Sequence, residues 1–409
     1  MIERTRAEQA FREAVVACDP APRVARVLGE LDAGAWRAPQ VPRIGIALGK
    51  SALAMARGAG PVTRGIAVTV ADDGRGLPDG WQAMFAGHPQ PDARSVLAGQ
   101  AVAALVAGAM PTDRVIALVS GGASALVELP RGTLDELRAV TSSLMAAGAP
   151  IGELNVVRSA LSELKAGGLA LGSAAPILTL VASDVIGDPV DVVGSGPTVG
   201  PWLDAPGGQV DAGAAAEARR LAAVAILRRY GLVVPPVLER PIASRSVIRH
   251  DRAQLVIGID AFAEEVRVAL GARRRGPHAG TVTEVADELA GTPGLVVAWG
   301  EPTLAVPTVH GEGGRSQQLA LELSRRLRGT DRSALVAGSD GIDGPFPRGR
   351  PAPAGAFVDG TTWDRIVAAG LDPAAALAGC DAGRVLHAVG ALFVTGPTGV
   401  NHADLVILG

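Results

Sequence analysis

Small residues with hydroxyl groups follow the apolar run Val115–Val119, in the order Ser120-Gly121-Gly122-Ala123-Ser124. The run has the length and the β-branched content of a buried strand, and the glycines after it let backbone amides approach a ligand closely. Amides and hydroxyls at the carboxyl end of a strand are suited to bind a phosphate or another anion. An ordinary tight turn explains the same residues. Four further small-residue loops, among them one at Ser195 and Gly196, favour the binding interpretation.

Two cationic side chains stand beside glycines elsewhere in the chain. Lys50 follows the apolar segment Ile44–Leu48, and Arg315 precedes a helical pattern that reaches residue 327. A cation beside the free amides of a helix start can bind an anion, although a solvated surface lysine is the simpler interpretation of Lys50 alone. Only three residues separate Gly45 from Gly49, where the nucleotide-binding P-loop needs four, so this segment is not that motif.

A polar stripe is predicted on a helix that begins near Asn155. Asn155, Arg158, Ser162 and Lys165 are spaced by three, four and three residues, which places them on one helix face. A solvated face accounts for this spacing as well as a binding face does. In the proline-rich loop 86–92, His88 is a further candidate, although a lone histidine in a loop is more often structural.

Carboxylates follow two other apolar runs. Asp184 and Asp188 come after the predicted strand Ile177–Ala182, at the position where general bases and metal ligands are usually found. Asp340 and Asp343 lie in a glycine-rich loop and could hold Mg²⁺ through oxygen ligands. Pairs of aspartate and glycine are also common in plain turns, so both interpretations of this loop stay open.

The elements that position these residues indicate an α/β protein. The chain has 409 residues, 48% of them hydrophobic but only 3% aromatic, and 53 are glycine. Such a composition favours close packing of helices on sheets, and the length favours two domains. Prolines interrupt the segment 232–245, which is therefore a plausible domain boundary.

Charge and cysteine content exclude several classes of partner. A net charge of -3 gives no reason to expect nucleic acid or an anionic membrane surface. Cys18 and Cys380 lie far apart and form no metal-binding set, as expected in a reducing cytoplasm. The N-terminus is charged and no apolar run approaches about 18 residues, so we expect a soluble cytoplasmic protein.

Nine motifs, in order from about Ala7 to Leu408, resemble those of the class II glycerate kinases, which are often labelled hydroxypyruvate reductases. They are GKSA at Gly49, AGHPQPD at Ala86, VSGGASAL at Val119, NVVRSALSELKAGG at Asn155, SDVIGDPVDVVGSGPT at Ser183, GEPT at Gly300, GGRSQQLAL at Gly313, GSDGIDGP at Gly338 and TGPTGVN at Thr395. The resemblance implies phosphorylation of D-glycerate to 2-phosphoglycerate with ATP and Mg²⁺. It also implies a larger Rossmann-like domain, residues 1–240, and a smaller α/β domain of the MOFRL type, residues 241–409, with the active site in the cleft between them.

The resemblance further implies roles for particular residues. Lys50 and Arg315 look like phosphate-binding groups, and Asp184 or Asp188 like the group that orients or deprotonates the attacking hydroxyl, with Asp188 slightly favoured. Asp340 and Asp343 are the expected metal ligands. The expected cofactor-binding residues are Ser120, Gly121, Gly122, Ser124, Lys165, Ser195 and Gly196.

Three departures from the family pattern leave the substrate open. Where the family usually reads SGGGSAL, this chain has Ala123 in place of the third glycine. Where the family reads VRKHLS, this chain has Ser159 and Ala160, and where it reads GGRNQE, this chain reads GGRSQQ, which ends in Gln318. A kinase of another small hydroxy acid and a binding protein without activity are therefore alternatives. A nicotinamide-dependent reductase ranks lower, because no GxGxxG joins a strand to a helix with an acidic residue about 20 positions later. The sequence leaves open a monomer or a homodimer.

Overall fold

The computed structural model describes residues 1–31 and 41–409. These residues divide into two compact units, which differ in their sheets. Pro20–Ile257 form the parallel unit, and Met1–Asp19 together with Gly258–Gly409 form the mixed unit. The chain thus passes from one unit to the other after residue 257, later than the predicted boundary at 240, and its first residues belong with its last.

Six parallel strands form the sheet of the parallel unit. Their burial is nearly complete at the centre of the sheet, as expected where helices cover both faces. The strand order reverses between Arg43–Leu48 and Arg114–Ser120, and a reversal of this kind marks the usual ligand position in an open α/β sheet. This order is the Rossmann order, which confirms the predicted fold class. In space the strands run Trp81–Phe85, Arg64–Thr69, Arg43–Leu48, Arg114–Ser120, Ile177–Ala182 and Arg252–Ile257.

Helices and short turns complete the parallel unit. The predicted capping box is present, because Thr133 Oγ1 accepts from Glu136 N at 3.1 Å and Glu136 Oε2 accepts from Thr133 N at 2.8 Å. The strands Gln209–Asp211 and Ser246–Ile248 pair as a small antiparallel sheet. The helices are Pro20–Glu30, Ala52–Ala59, Ala93–Ala107, Ala123–Leu126, Leu134–Ala146, Ile151–Ala160, Gly168–Leu171, Ala212–Arg229 and Pro236–Glu239, with 3-10 turns at Val193–Ser195, Pro201–Leu203 and Pro206–Gly208.

One helix of this unit is shorter than predicted. Ile151–Ala160 ends before Ser162 and Lys165, so the four polar residues do not share one helix face. The chain leaves the helix because its backbone bonds elsewhere: Arg131 N donates to Leu161 O at 2.9 Å, and Glu163 N donates to Leu129 O at 2.8 Å. The prediction of a single polar face was wrong because these tertiary hydrogen bonds replace the next helical turn.

The mixed unit contains a sheet of mostly antiparallel strands. Only Arg273–His278 and Val296–Gly300 pair in parallel. In space the strands run Leu392–Val394, Pro353–Asp359, Ser333–Gly338, Asp404–Leu408, Val296–Gly300 and Arg273–His278. The helices are Arg4–Ala17, Ala261–Leu270, Val282–Ala290, Arg315–Arg326, Thr362–Ala368, Pro373–Ala378 and Ala382–Ala388. No helix in the described parts of either unit is long and apolar enough to cross a bilayer.

The N-terminal helix joins the mixed unit through an aromatic cluster. The Phe11 ring lies edge-on to Phe262 and Phe393, with centroids 4.9 and 5.1 Å apart. Arg4 donates from Nη1 and Nη2 to the carbonyls of Gly390 and Leu392, each at 2.8 Å. These contacts join residues more than 250 positions apart in sequence, which explains why no local pattern indicated them.

Candidate functional site

Two small-residue loops lie side by side where the parallel sheet reverses its strand order. Lys50 N donates to Gly121 O at 2.9 Å, and Ser51 N donates to Ser120 Oγ at 3.1 Å. Gly49 has a φ of +121°, and a side chain there would overlap the hydroxyl and carbonyl oxygens of Ser120. Only glycine permits this approach. The predicted Ser120 to Ser124 loop and the predicted Lys50 are therefore held together in one place.

The Lys50 side chain and the His88 ring both lie beside Gly122. A Cβ atom added to Gly122 would be 3.2 Å from His88 Cδ2 and 3.3 Å from Lys50 Cγ. The His88 side chain is exposed, and Lys50 is half-buried. The structure thus groups a cation, an imidazole and a glycine with a φ of +85° at the end of one strand. The loop 86–92 is linked to the next helix by Asp92, which accepts from Ser95 N at 3.0 Å.

A chain of hydroxyl and guanidinium groups continues from the same loop. Arg158 Nη2 donates to Ser124 Oγ at 2.9 Å, and Ser195 Oγ lies 2.9 Å from Ser124 Oγ. Ser195 is left-handed, with a φ of +63°, which costs a non-glycine residue about 1 kcal/mol. Hydrogen bonds hold it there, because Ala166 N donates to Ser195 O at 2.8 Å and Gly167 N donates to Gly196 O at 2.7 Å.

Arg158 is half-buried but has no close counterion. Within residues 1–31 and 41–409, no carboxylate oxygen lies within 4.0 Å of its guanidinium nitrogens. Burial lowers the pKa of Arg158, and the more distant Glu128 carboxylate only partly opposes this. Such a cation is stabilised when an anion binds beside it.

Lys165 has an internal partner. Its Nζ donates to Glu128 Oε2, and Ser162 Oγ donates to Glu128 Oε1 at 2.5 Å. The side chains of Glu128 and Lys165 are 0% and 2% exposed. Burial lowers the pKa of the Lys165 ammonium group, while Glu128 acts in the opposite direction. The lysine predicted as a cofactor ligand therefore anchors the segment 162–167, which supports Ser195, and its contact with a cofactor stays a prediction.

Asp184 and Asp188 are both half-buried in the loop after Ile177–Ala182. Asp188 has a φ of +54°, and its N donates to Val185 O at 3.0 Å. Ser183 Oγ accepts from Val185 N at 3.2 Å, so the first turn of the loop is fixed by its own residues. Aspartate tolerates the left-handed conformation better than most residues, which makes Asp188 a compatible residue at this position. The role of either carboxylate as a base stays a prediction.

In the mixed unit, Arg315 is held by two carboxylates, Glu301 and Asp404, that were not predicted as site residues. Its Nε donates to Asp404 Oδ2 at 2.6 Å, and its Nη2 donates to Glu301 Oε1 at 2.9 Å. Although burial acts to lower it, these carboxylates keep the pKa of Arg315 above its ordinary value. Glu301 follows a predicted strand within the GEPT motif, so its position was a usable signal. Asp404 begins the last strand and had no such signal.

Asp404 is unusual among the carboxylates of this unit. Burial raises its pKa to about 7, the charges of Asp343 and Glu301 add to the rise, and Arg315 opposes it. Its carboxyl group therefore exchanges a proton near neutral pH, which an ordinary aspartate does not do.

Asp343, a predicted metal ligand, caps the helix Arg315–Arg326. Its Oδ1 accepts from Ser316 N at 3.1 Å, and its Oδ2 accepts from Gln317 N at 2.8 Å. The side chain is buried, and a side chain on Gly314 would overlap Oδ1. Both oxygens thus accept from amides at a helix start, and the role of Asp343 as a Mg²⁺ ligand stays a prediction. Asp340 Oδ1 accepts from Ile342 N at 3.1 Å, as in a turn. In the described parts of the chain, no three His, Cys, Asp or Glu residues form a metal-binding group.

The three departures from the family pattern are accommodated by packing. Gln318 Nε2 donates to Leu377 O at 2.6 Å. The carboxylate that the family usually has at this position could not form this hydrogen bond, because it has no donor. Ala160 lies in an apolar cluster between helices, and a Cβ added to Gly194 would be 2.8 Å from Ala123 Cβ. Gln318, Ala160 and Ala123 therefore each fit the neighbours that they contact within their own unit.

Comparisons with known proteins agree with these motifs. Residues 6–237 match a family described as a domain of unknown function, DUF4147, and residues 294–404 match the MOFRL family. The D-glycerate 2-kinase of Thermotoga maritima is 32% identical over 393 residues, which cover 88% of this chain and 89% of that protein. The glycerate 2-kinase of Pyrococcus horikoshii is 30% identical and is covered over 86% of its length by 88% of this chain.

A solved structure extends the agreement to the fold. The crystal structure of a glycerate kinase from Thermotoga maritima superposes with a TM-score of 0.80 and 29% sequence identity, over 99% of this chain and 98% of that one. The family match covers more than half of the chain, and the sequence relatives and the structure agree with it. The chain therefore belongs to the class II glycerate kinase family.

Proposed function

We propose that this protein transfers the γ-phosphoryl group of MgATP to the 2-hydroxyl of D-glycerate, giving 2-phosphoglycerate. The observation that carries the proposal is the position of Lys50, held beside two small-residue loops at the point where the parallel sheet reverses its strand order. Relatives named D-glycerate 2-kinase and glycerate 2-kinase are similar in sequence to this chain over most of its length. Phosphoryl transfer depends chiefly on positioning and on neutralising phosphate charge, which a lysine and small-residue loops can supply.

In this proposal Arg158 binds the carboxylate of the acid. Its guanidinium is half-buried, hydrogen-bonded to Ser124, and without a close counterion in the described chain. A planar carboxylate offers two acceptors to a guanidinium and compensates for the cost of burying its charge. The hydroxyls of Ser124 and Ser195 then orient the bound acid. This assignment accounts for a substrate that is small and anionic.

The remaining assignments follow the family resemblance. Asp188 or Asp184 accepts the proton of the attacking hydroxyl, and Mg²⁺ arrives as part of the MgATP substrate. Arg315 binds phosphate. The phosphate replaces Glu301, whose side chain is half exposed, and the buried Asp404 keeps its contact with Arg315. Exchange of an exposed carboxylate for a phosphate costs less than breaking the buried contact.

A kinase assay tests the proposal directly. ADP release would be measured with MgATP and a panel of short hydroxy acids headed by D-glycerate, and ³¹P spectra would distinguish 2-phosphoglycerate from 3-phosphoglycerate. We expect turnover on D-glycerate, and a fall in kcat of at least about 100-fold in Lys50→Ala. Arg75→Ala, which removes an exposed cation from the same unit, is the matched control. Oxidation of NADH by hydroxypyruvate, without ADP release, would instead establish the reductase.

The lysine content permits a second test that does not depend on turnover. Lys50 and Lys165 are the two lysines of the chain. Reductive methylation with ¹³C-formaldehyde should modify Lys50 in the folded protein and spare the buried Lys165 until denaturant is added. We expect MgATP to slow the modification of Lys50. An unchanged rate at saturating MgATP would show that Lys50 does not contact the nucleotide.

A further inference from the structure

A small cavity lies in the parallel unit between the helix Ala212–Arg229 and the segment 162–171. Its volume is about 40 Å³, and its lining includes Arg131, Arg219 and Trp202. Lys165 also contributes to the lining, but its ammonium group is paired with Glu128. The residues assigned above to phosphoryl transfer do not include Arg131, Arg219 or Trp202.

The lining of this cavity carries hydrogen-bond donors without acceptors. Arg131 Nε and Trp202 Nε1 are buried, and neither has a hydrogen-bond partner. Arg219 is half-buried, and in the described chain it has no hydrogen bond and no carboxylate within 4.0 Å. Guanidinium and indole groups donate and do not accept, so an acceptor in the cavity could bind all three side chains. Unsatisfied buried donors are rare in folded proteins and call for an explanation.

The charges around the cavity do not balance. Lys165 is neutralised by Glu128. Arg131 Nε forms no hydrogen bond but has an ion-pair partner, Glu163 Oε1, at 3.5 Å, on a side chain that is 54% exposed. Arg219 is left without compensation. Burial lowers the pKa of Arg219, and the neighbouring charge of Arg131 lowers it further. A water molecule would supply acceptors but no charge, whereas an anion supplies both.

We propose that this cavity binds one small oxyanion of the phosphate class between Arg131 and Arg219, separately from the catalytic site. A volume of about 40 Å³ suits a single tetrahedral ion and excludes a nucleotide or a sugar phosphate. Two guanidinium groups are well matched to such an ion because each presents several donors in one plane. Ala166 lines the cavity and its N donates to Ser195 O at 2.8 Å, so the bound ion also stabilises the support of that loop.

Equilibrium dialysis with ³²P-labelled inorganic phosphate tests the proposal, at an ionic strength fixed with potassium gluconate. Because phosphate also enters a kinase site, binding is measured in the Lys50→Ala background, in which we expect saturable binding at the cavity in addition to phosphate that remains on Arg315. Adding Arg219→Gln should weaken that site at least ten-fold. Adding Arg228→Gln, which removes an exposed charge from the same helix, should leave it unchanged.

Thermal unfolding of the same proteins shows whether a loss of binding reflects a loss of fold. Phosphate should raise the unfolding midpoint of the Lys50→Ala protein and its Arg228→Gln derivative by the same amount, and that of the Arg219→Gln derivative by less. Without phosphate, the Arg219→Gln protein should be at least as stable as its parent, because it loses an uncompensated charge. Full phosphate binding in the Arg219→Gln protein, or no binding in the Lys50→Ala parent, would overturn the proposal and leave water as the occupant.

Discussion

Arg158 in the parallel unit and Arg315 in the mixed unit are both arginines beside small-residue loops, yet their surroundings are opposite. Arg158 donates to the neutral hydroxyl of Ser124, whereas Arg315 donates to the carboxylates of Asp404 and Glu301. Burial lowers the pKa of Arg158, while the two carboxylates raise the pKa of Arg315. The first guanidinium lacks an anion, and the second already has two.

This difference shows that a cation beside glycines is not by itself a binding group. Whether it attracts a ligand depends on the counterions that the fold supplies, and these come from distant parts of the chain. Asp404 lies 89 residues from Arg315. We therefore expect Arg158 to contribute mainly to binding and Arg315 to contribute substantially to stability.

The largest expected effect concerns the proton on Asp404. Its folded pKa of about 7 lies above its ordinary value of 3.8, so the folded state binds the proton more tightly. The resulting stabilisation is complete below about pH 4 and is lost as the pH rises through 7. We expect the free energy of unfolding to fall by on the order of 3 kcal/mol across this range, relative to Asp404→Asn. Denaturant unfolding of both proteins from pH 4 to pH 8 measures this, and parallel curves would contradict it.

The next effect concerns substrate binding. Arg158→Gln should raise the KM for D-glycerate by about 100-fold, on the order of 3 kcal/mol, because it removes a charge-assisted contact with the carboxylate. The free energy of unfolding should stay unchanged or rise, since the variant also removes a poorly compensated charge. Arg158→Lys keeps the charge without the planar pair of donors, so its KM should lie between that of the unchanged protein and that of Arg158→Gln. If KM is unaffected while the protein loses stability, Arg158 is a structural residue.

The smallest effect is the loss of stability in Arg315→Gln. Asp404 is buried and would lose its counterion, but the Arg315 side chain is 38% exposed, so solvent screening limits the cost to about 2 kcal/mol. Arg315→Gln combined with Asp404→Asn should cost less than the sum of the single changes, because the pair is removed together. Additive costs in this double-mutant cycle would mean that the two groups do not stabilise each other.

Much of the fold was accessible from local pattern. The runs Ile44–Leu48, Val115–Val119 and Ile177–Ala182 all lie within observed strands, and the helix after Gly314 has nearly its predicted bounds. The helix near Asn155 was predicted too long, because its last turn is replaced by hydrogen bonds to residues 129 and 131. For a similar reason no local pattern shows that the helix Arg4–Ala17 belongs to the mixed unit, since Phe11 packs against Phe262.

Local residue patterns specify the α/β class, the strand positions, the glycines that permit close loops, and the ordered motifs of the glycerate kinase family. The folded chain sets which charged groups face each other or a helix start: Lys165 with Glu128, Arg315 with Asp404, and Asp343 with the amides of a helix start. Strands and turns follow from the side chains and φ angles of neighbouring residues, which the sequence lists directly. Electrostatic partners follow from distances across the fold, and the sequence does not contain those distances.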